Sequence, residues 1–308
     1  MRSRLLHHFL VTYNHLNITS AAEALSITQP ALTKSIKLLE GDLGVLLFTR
    51  LPNGVVPTRF GEALAKHAST IFFEYEHALA ELEAMKGGSA GVIRIGAGPI
   101  WLTHFLPPAL AAFLAAHPRI RFSLQPSVIS TAIPALLRGE IEIFCGSLDF
   151  PDHPEIEKRE IDQIENVVMA SSAHPLARAA TTAPSQLLEF PWAVLAHDDV
   201  GRRQLSAYFA SNGLIAPQAA LESTSIISIL QTVACSEFLT CLARPLLQSP
   251  VIEGLVSLSG PGTIWRYPAG IALRKMRNPV PATARFAQQI VDTYRKNAAQ
   301  EARADKAS

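Results

Sequence analysis

Cysteine is scarce in this 308-residue chain: Cys145, Cys235 and Cys241, with no CxxC spacing. An odd, scattered set excludes a disulfide or zinc framework and fits buried thiols in a reduced, cytoplasmic protein. The ten histidines, His7-His8 among them, form no HExxH or comparable ligand set, so neither a metal nor a cofactor is expected. Gly96-Ala97-Gly98 lacks the third glycine of a dinucleotide fingerprint and runs into Pro99. No stretch reaches membrane-spanning length without polar or proline breaks, which excludes a membrane partner. Arg2 and Arg4 precede Leu5-Leu6, but His7, His8 and Asn14 interrupt any signal-peptide core. Glu140 and Glu142 read as solvated charges flanking a strand rather than as an acid/base pair. No nucleophile, base and orienting group form a recognisable set, which speaks against an enzyme.

Net charge is also slight, at +1. Its distribution is uneven: through residue 60, Arg2, Arg4, Lys34, Lys37, Arg50 and Arg59 outnumber Glu23, Glu40 and Asp42, a net excess of three positive charges. A basic end on a nearly neutral protein is the electrostatic footprint of a DNA-binding segment joined to something that is not one.

That segment has a readable order. Asn17 or Ser20 can cap a short helix containing Ala21, Ala22 and Leu25, whose small residues permit close helix approach, and Ser26-Ile27 forms a tight connection. Thr28 suits the N-cap of a second helix with Pro30 in its first turn. Leu32, Ile36 and Leu39 form its apolar stripe, leaving Gln29, Thr33, Lys34 and Lys37 on the other side. A hairpin closed by Asn53-Gly54 follows, because both residues tolerate positive φ. This outline predicts a winged helix-turn-helix, and double-stranded DNA as partner. Gln29 can make a bidentate contact to adenine, and Arg50 and Arg59 can each neutralise a phosphate.

The runs Ala21 to Glu40, Leu43 to Arg50 and Pro57-Thr-Arg-Phe-Gly-Glu62 resemble the N-terminal signature of LysR-type transcriptional regulators. The resemblance implies that Gln29, Pro30, Thr33, Lys34 and Lys37 face DNA, with Arg50 and Asn53 on the wing side. Where the family often has Ser-Arg, this chain has Thr33-Lys34; a lysine suits phosphate positioning better than bidentate guanine readout.

From Thr58 the period changes. Leu64, Ala68, Ile71, Tyr75, Ala78, Leu82 and Met85 alternate spacings of four and three, the pattern of a two-helix seam, and predict a long linker helix paired with a second copy. The family resemblance favours a homodimer or homotetramer, and implies RNA polymerase as a further partner. Gly87 to Gly91 then provides a hinge.

Beyond it, apolar strands and helices alternate in βαβ order from Val92 to about Asn297, predicting an α/β sheet with crossover helices. Roughly 215 residues exceed the commonest domain size, so two subdomains are expected. The resemblance implies a periplasmic-binding-protein-like effector domain. The expected division is a DNA-binding domain at 1–60, a linker and hinge at 61–90, a two-lobed effector domain at 91–299 and a tail at 300–308. Lobe I would comprise 91–161 and 268–299, and lobe II 162–267.

Ligands of open α/β sheets bind beyond the carboxyl ends of strands. The loops there hold Gly98, Pro99, Ile100, Trp101 and Thr103, then Ser127 and Ser130; the second lobe offers Val200-Gly201-Arg202 and Ser223-Thr224-Ser225. These loops are the candidate contacts for a small-molecule effector. Family relatives often place a hydroxyl near the Pro99-Ile100 positions to bind a carboxylate, so its absence implies a neutral or weakly anionic effector. The expected function is a ligand-controlled, sequence-specific transcriptional regulator. The alternatives are a two-lobed enzyme with an accessory DNA-binding module and an effector-independent repressor.

Overall fold

The computed structural model describes residues 2–85, 92–248, 252–260, 263–275 and 281–304, so the expected hinge at Gly87 to Gly91 lies outside the described residues. The chain divides into two compact units.

The first unit opens with a helix absent from the sequence reading. Helix α1 (Arg2–His15) buries Leu5, Phe9 and Leu10, and the enclosed Phe9 ring lies 5.4 Å from that of Phe48. Helix α2 (Ile18–Ala24) is capped by Asn17, whose Oδ1 accepts from the Thr19 and Ser20 amides at 2.9 and 3.1 Å. Ser26 closes the next turn at φ 54°. Helix α3 (Gln29–Leu43) starts at the Thr28 cap, holds Pro30 in its first turn and stops at Gly44, whose φ of 69° suits a residue without Cβ. Leu32, Ile36 and Leu39 are buried beside Ala21 and Ala22. Each large aliphatic side chain so buried contributes about 1.5–3 kcal/mol.

The wing pairs β1 (Phe48–Leu51) with β2 (Gly54–Pro57). Leu51 pairs with Gly54, so the turn is Pro52-Asn53, one residue earlier than expected. Proline's fixed φ suits the first central turn position. Gly54 is required for a different reason: a Cβ there would stand 2.5 Å from the Leu16 carbonyl oxygen, which accepts from the Val55 amide.

Helix α4 (Arg59–Met85) divides the expected seam. Ala68 is buried and Leu64 is packed in the unit's own core, so these two positions are not available to a partner. Ile71, Tyr75, Ala78 and Leu82 are exposed, whereas the Met85 side chain lies outside the described part. The first turns are also held by the Tyr13 hydroxyl donating to Glu62 at 2.6 Å and by His7 stacked on Phe72.

The second unit is a two-lobed α/β structure. Its first lobe runs β3 (Val92–Ala97), a π-helical turn (Trp101–Phe105), α5 (Leu106–Ala116), β4 (Arg121–Pro126), α6 (Ile129–Arg138) and β5 (Ile143–Ser147). β3 pairs in parallel with β4 and β5, as βαβ crossovers require. The chain then enters β6 (Ile156–Ser171), much longer than the Val167 to Ala170 strand expected. The second lobe adds β7 (Trp192–Leu195), α7 (Asp199–Ser211), β8 (Ala219–Ser223), α8 (Ile226–Ala234), β9 (Thr240–Ala243) and β10 (Leu255–Ser257). The return strand β11 (Thr263–Arg274) leads into α9 (Pro281–Ala304), which runs five residues past the expected end of the domain at residue 299.

The larger sheet is therefore mixed rather than built only from parallel crossovers. It has the order β10-β6-β11-β5-β3-β4, with β9 also on β6, and every pairing of β6 is antiparallel. β6 and β11 run side by side from Ile156 opposite Arg274 to Val167 opposite Thr263, carrying the chain from the first lobe to the second and back. A bulge interrupts them at Ala269/Gly270, where a Cβ on Gly270 would meet the Arg159 carbonyl oxygen at 2.1 Å. The first lobe's core gathers Ile93, Ile95, Leu106, Phe113 and Phe286, and the second lobe's gathers Trp192, Phe209 and Leu239.

One charge departs from expectation. Glu142 is buried, receives the Arg94 backbone amide and pairs with the Arg94 guanidinium at 3.3 Å; only Glu140 is a solvated charge, paired with Arg138.

Candidate functional site

The outward side of α3 carries Gln29, Pro30, Lys34 and Lys37, all exposed. Thr33 differs. It is half-buried and its hydroxyl is enclosed without a hydrogen-bond partner, so the expected Gln29/Thr33/Lys37 polar stripe is interrupted at its middle member. Arg50 on β1 and Asn53 in the turn are exposed, and Arg59 opens α4 with its guanidinium 4.7 Å over the Phe60 ring. A contact not anticipated from the sequence joins helix and wing: Glu40 Oε1 accepts from the backbone amides of Leu47 at 2.8 Å and Phe48 at 3.3 Å. One carboxylate thus couples the orientation of α3 to the start of the wing.

In the second unit, a cavity of about 100 Å³ opens between the two lobes. From the first lobe it is lined by Gly98, Pro99, Ile100, Trp101 and Ser127, all anticipated, and by Phe144, Gly146 and Ser147. From the second come Asn166, Asp198, Gly201, Cys241, Leu242, Trp265 and Tyr267. Val200, also in the lining, and Gly201 were anticipated too, whereas Thr103, Ser130, Arg202 and the Ser223-Thr224-Ser225 turn are not part of it. Thr103 donates to the Pro99 carbonyl one helical turn back, at 2.9 Å. Ser130 donates to the His197 carbonyl at 2.7 Å, joining the two lobes directly. Arg202 forms a two-toothed pair with Glu222 at 2.6 and 3.2 Å, and Thr224 is exposed.

The additional lining residues follow from the fold. Asn166, Trp265 and Tyr267 sit on the two crossing strands, whose extent the sequence pattern did not reveal. Asp198 had a local signal, an Asp three residues before Gly201 at a helix start: its Oδ1 accepts from the Gly201 amide at 2.9 Å. Burial pushes the Asp198 carboxyl above its ordinary range, opposed mainly by that amide. Burial also raises the Tyr267 hydroxyl and Cys241 thiol, with the negative charge of Asp198 adding to both, so both stay neutral. Trp101 is cavity wall and core at once: it lies against Phe105 and Tyr294, is 1% exposed, and its indole N–H has no partner.

A winged helix-turn-helix with a basic outer helix, followed by a two-lobed α/β unit enclosing an apolar cavity, defines a DNA-binding regulator with a ligand-sensing domain. Comparison with known proteins agrees. The family described as bacterial regulatory helix-turn-helix protein, lysR family, matches residues 3–62, and the LysR substrate binding domain matches residues 86–295. The chain belongs to the LysR family of transcriptional regulators. It is similar to the HTH-type transcriptional regulator GbpR of Azospirillum brasilense, with 27% identity over 252 residues covering 80% of this chain and 73% of that protein. CysL of Bacillus subtilis is 27% identical over 256 residues, 82% and 84% of the two chains. Among solved structures, the LysR-family regulator CbnR superposes with a TM-score of 0.67 at 22% identity, covering 95% of this chain and 99% of that one. Full-length CbnR complexed with its target DNA gives 0.65 at 22% identity, with coverage of 95% and 100%. These relatives are regulators of transcription, not enzymes.

Proposed function

We propose that this regulator reads a promoter through α3 and the wing, and that a small molecule in the interlobe cavity controls the outcome. Gln29 supplies base readout; Lys34, Lys37, Arg50 and Arg59 position the protein on phosphates, with Pro30 and Asn53 at the surface of contact. Residues 1–60 form the DNA-binding domain, 61–90 the linker and hinge, and 91–299 the effector domain, with lobe I at 91–161 and 268–299 and lobe II at 162–267. The exposed stripe Ile71, Tyr75, Ala78 and Leu82 supports pairing of two chains along α4. Two copies then meet a partly palindromic site, because protein symmetry is mirrored in half-site spacing. The protein acts in the cytoplasm, where RNA polymerase is its further partner.

The observation that carries the reading is the enclosed cavity at the strand ends, walled by both lobes at once. A molecule seated there touches both lobes, and so has different affinities for different lobe arrangements; only such a difference can shift the protein's equilibrium. The test is footprinting of full-length protein on its own promoter region with and without metabolites that raise its melting temperature. A stabilising metabolite should alter footprint length or DNA bending. If saturating binders leave both footprint and transcription unchanged, control through the cavity is wrong; the DNA-reading half stands or falls on promoter preference alone.

A further inference from the structure

Resting on the effector reading above, we propose that the cavity takes an uncharged or amine-bearing apolar molecule and excludes carboxylates, with Asp198 setting that preference. The charge inventory carries this. Among the described lining residues there is no lysine, arginine or histidine, and Asp198 is the sole carboxylate. Arg202 lines only the small recess adjoining the cavity beside Asp198, and both Glu222 oxygens hold its guanidinium.

Several backbone amides around the cavity, the other common anion receptors, are already spent. Gly98 N–H donates to Cys145, Trp101 N–H to Gly98 and Ser127 N–H to Ala97, while Pro99 has none to offer. Val128 N–H donates to the Thr131 hydroxyl. At the start of α7, where a helix N-terminus would favour an anion, Asp198 already occupies the place with its own carboxylate. An ionised carboxylate entering here would lose water without gaining a counter-ion and would face a second negative charge.

What remains suits neutral chemistry. The Asn166 amide and the Tyr267 and Ser127 hydroxyls can donate or accept. Phe144 and Trp265 supply apolar walls. A volume of about 100 Å³ matches one small ring rather than a polycyclic body.

The experiment uses full-length protein and four single-ring probes, benzyl alcohol, benzamide, benzylamine and benzoate, titrated at pH 7 by calorimetry and tryptophan fluorescence. Benzyl alcohol or benzylamine should bind at least tenfold more tightly than benzoate. Asp198→Asn keeps a good N-cap while removing the charge. It should bring benzylamine to the affinity of benzyl alcohol and strengthen benzoate at least fivefold. Gly98→Val introduces a side chain where the nearest atom to a Cβ is 3.8 Å away, so it fills the cavity from a backbone position with room and should abolish binding of every probe. Benzoate binding to wild type as tightly as benzyl alcohol, or an unchanged probe ranking in Asp198→Asn, overturns the charge rule while leaving the effector site intact. If none of the four binds, the charge rule falls and the effector reading loses its cavity as well.

Discussion

Glu40 offers the sharpest handle on how α3 and the wing are held as one reading surface. Its Oε1 accepts two backbone amides, those of Leu47 at 2.8 Å and Phe48 at 3.3 Å, and both residues are buried. Glu40→Ala strands both donors. An unsatisfied buried amide costs about 1–3 kcal/mol, and the longer second bond counts less, so the loss should be about 2–4 kcal/mol. Against a domain stability of about 5–15 kcal/mol that is enough to loosen the wing without unfolding the unit. Glu40→Gln keeps a carbonyl acceptor and should recover most of it. Amide hydrogen exchange of full-length protein reads the effect locally: Leu47 and Phe48 should lose protection in the alanine variant and largely keep it in the glutamine variant. Promoter affinity should fall in the same order. Unchanged protection at both amides together with unchanged promoter affinity in Glu40→Ala would refute the reasoning.

Three further outcomes are expected. Gln29→Ala should cost about 1–3 kcal/mol at the cognate site and spare random duplex, whereas Lys37→Ala should weaken both and reduce the salt slope by about one, as read by titrations at several salt concentrations. Charges placed together at Ile71 and Leu82, both about half exposed, should lower the mass seen in light scattering and lower DNA affinity although neither side chain meets DNA; an unchanged mass would reject pairing along α4. Burial raises the Glu142 carboxyl to about 7, opposed by the Arg94 amide and guanidinium. Because the folded form then binds its proton more tightly than the unfolded form, this stabilisation is complete below about pH 4.5 and is lost as pH rises through 7, by about 3 kcal/mol. Glu142→Gln should flatten that slope in denaturant titrations, and a wild-type slope left intact by the substitution would place its origin elsewhere.

The legible parts of the chain were those governed by local rules. Caps, a helical apolar period and a hairpin signal within forty residues outlined α2, α3 and the wing, and the loops after β3 and β4 led to five cavity residues. The failures have physical causes. α1 was missed because its paired histidines and terminal arginines interrupt the apolar pattern of Leu5, Phe9 and Leu10, beside which Leu6, Val11 and Tyr13 also pack. The first half of β6 reads Glu157-Lys-Arg-Glu-Ile-Asp-Gln163, with one apolar residue in seven, because pairing with β11 rather than burial on both faces sustains it. Asn166 on β6 and Trp265 and Tyr267 on β11 reach the cavity only through the tertiary pairing of those two strands, which no local pattern encodes. Arg202 was assigned to the cleft from its place beside Gly201, but a salt bridge to β8 decides where its guanidinium goes, and sequence spacing does not encode that partner.

The most direct measurement is the affinity of full-length protein for its own promoter region against a random duplex of equal length at physiological salt. A specific regulator of this kind should favour the promoter by at least about 10³, with the preference largely erased by Gln29→Ala. Equal affinity for the two duplexes, following the same salt dependence, would contradict the account.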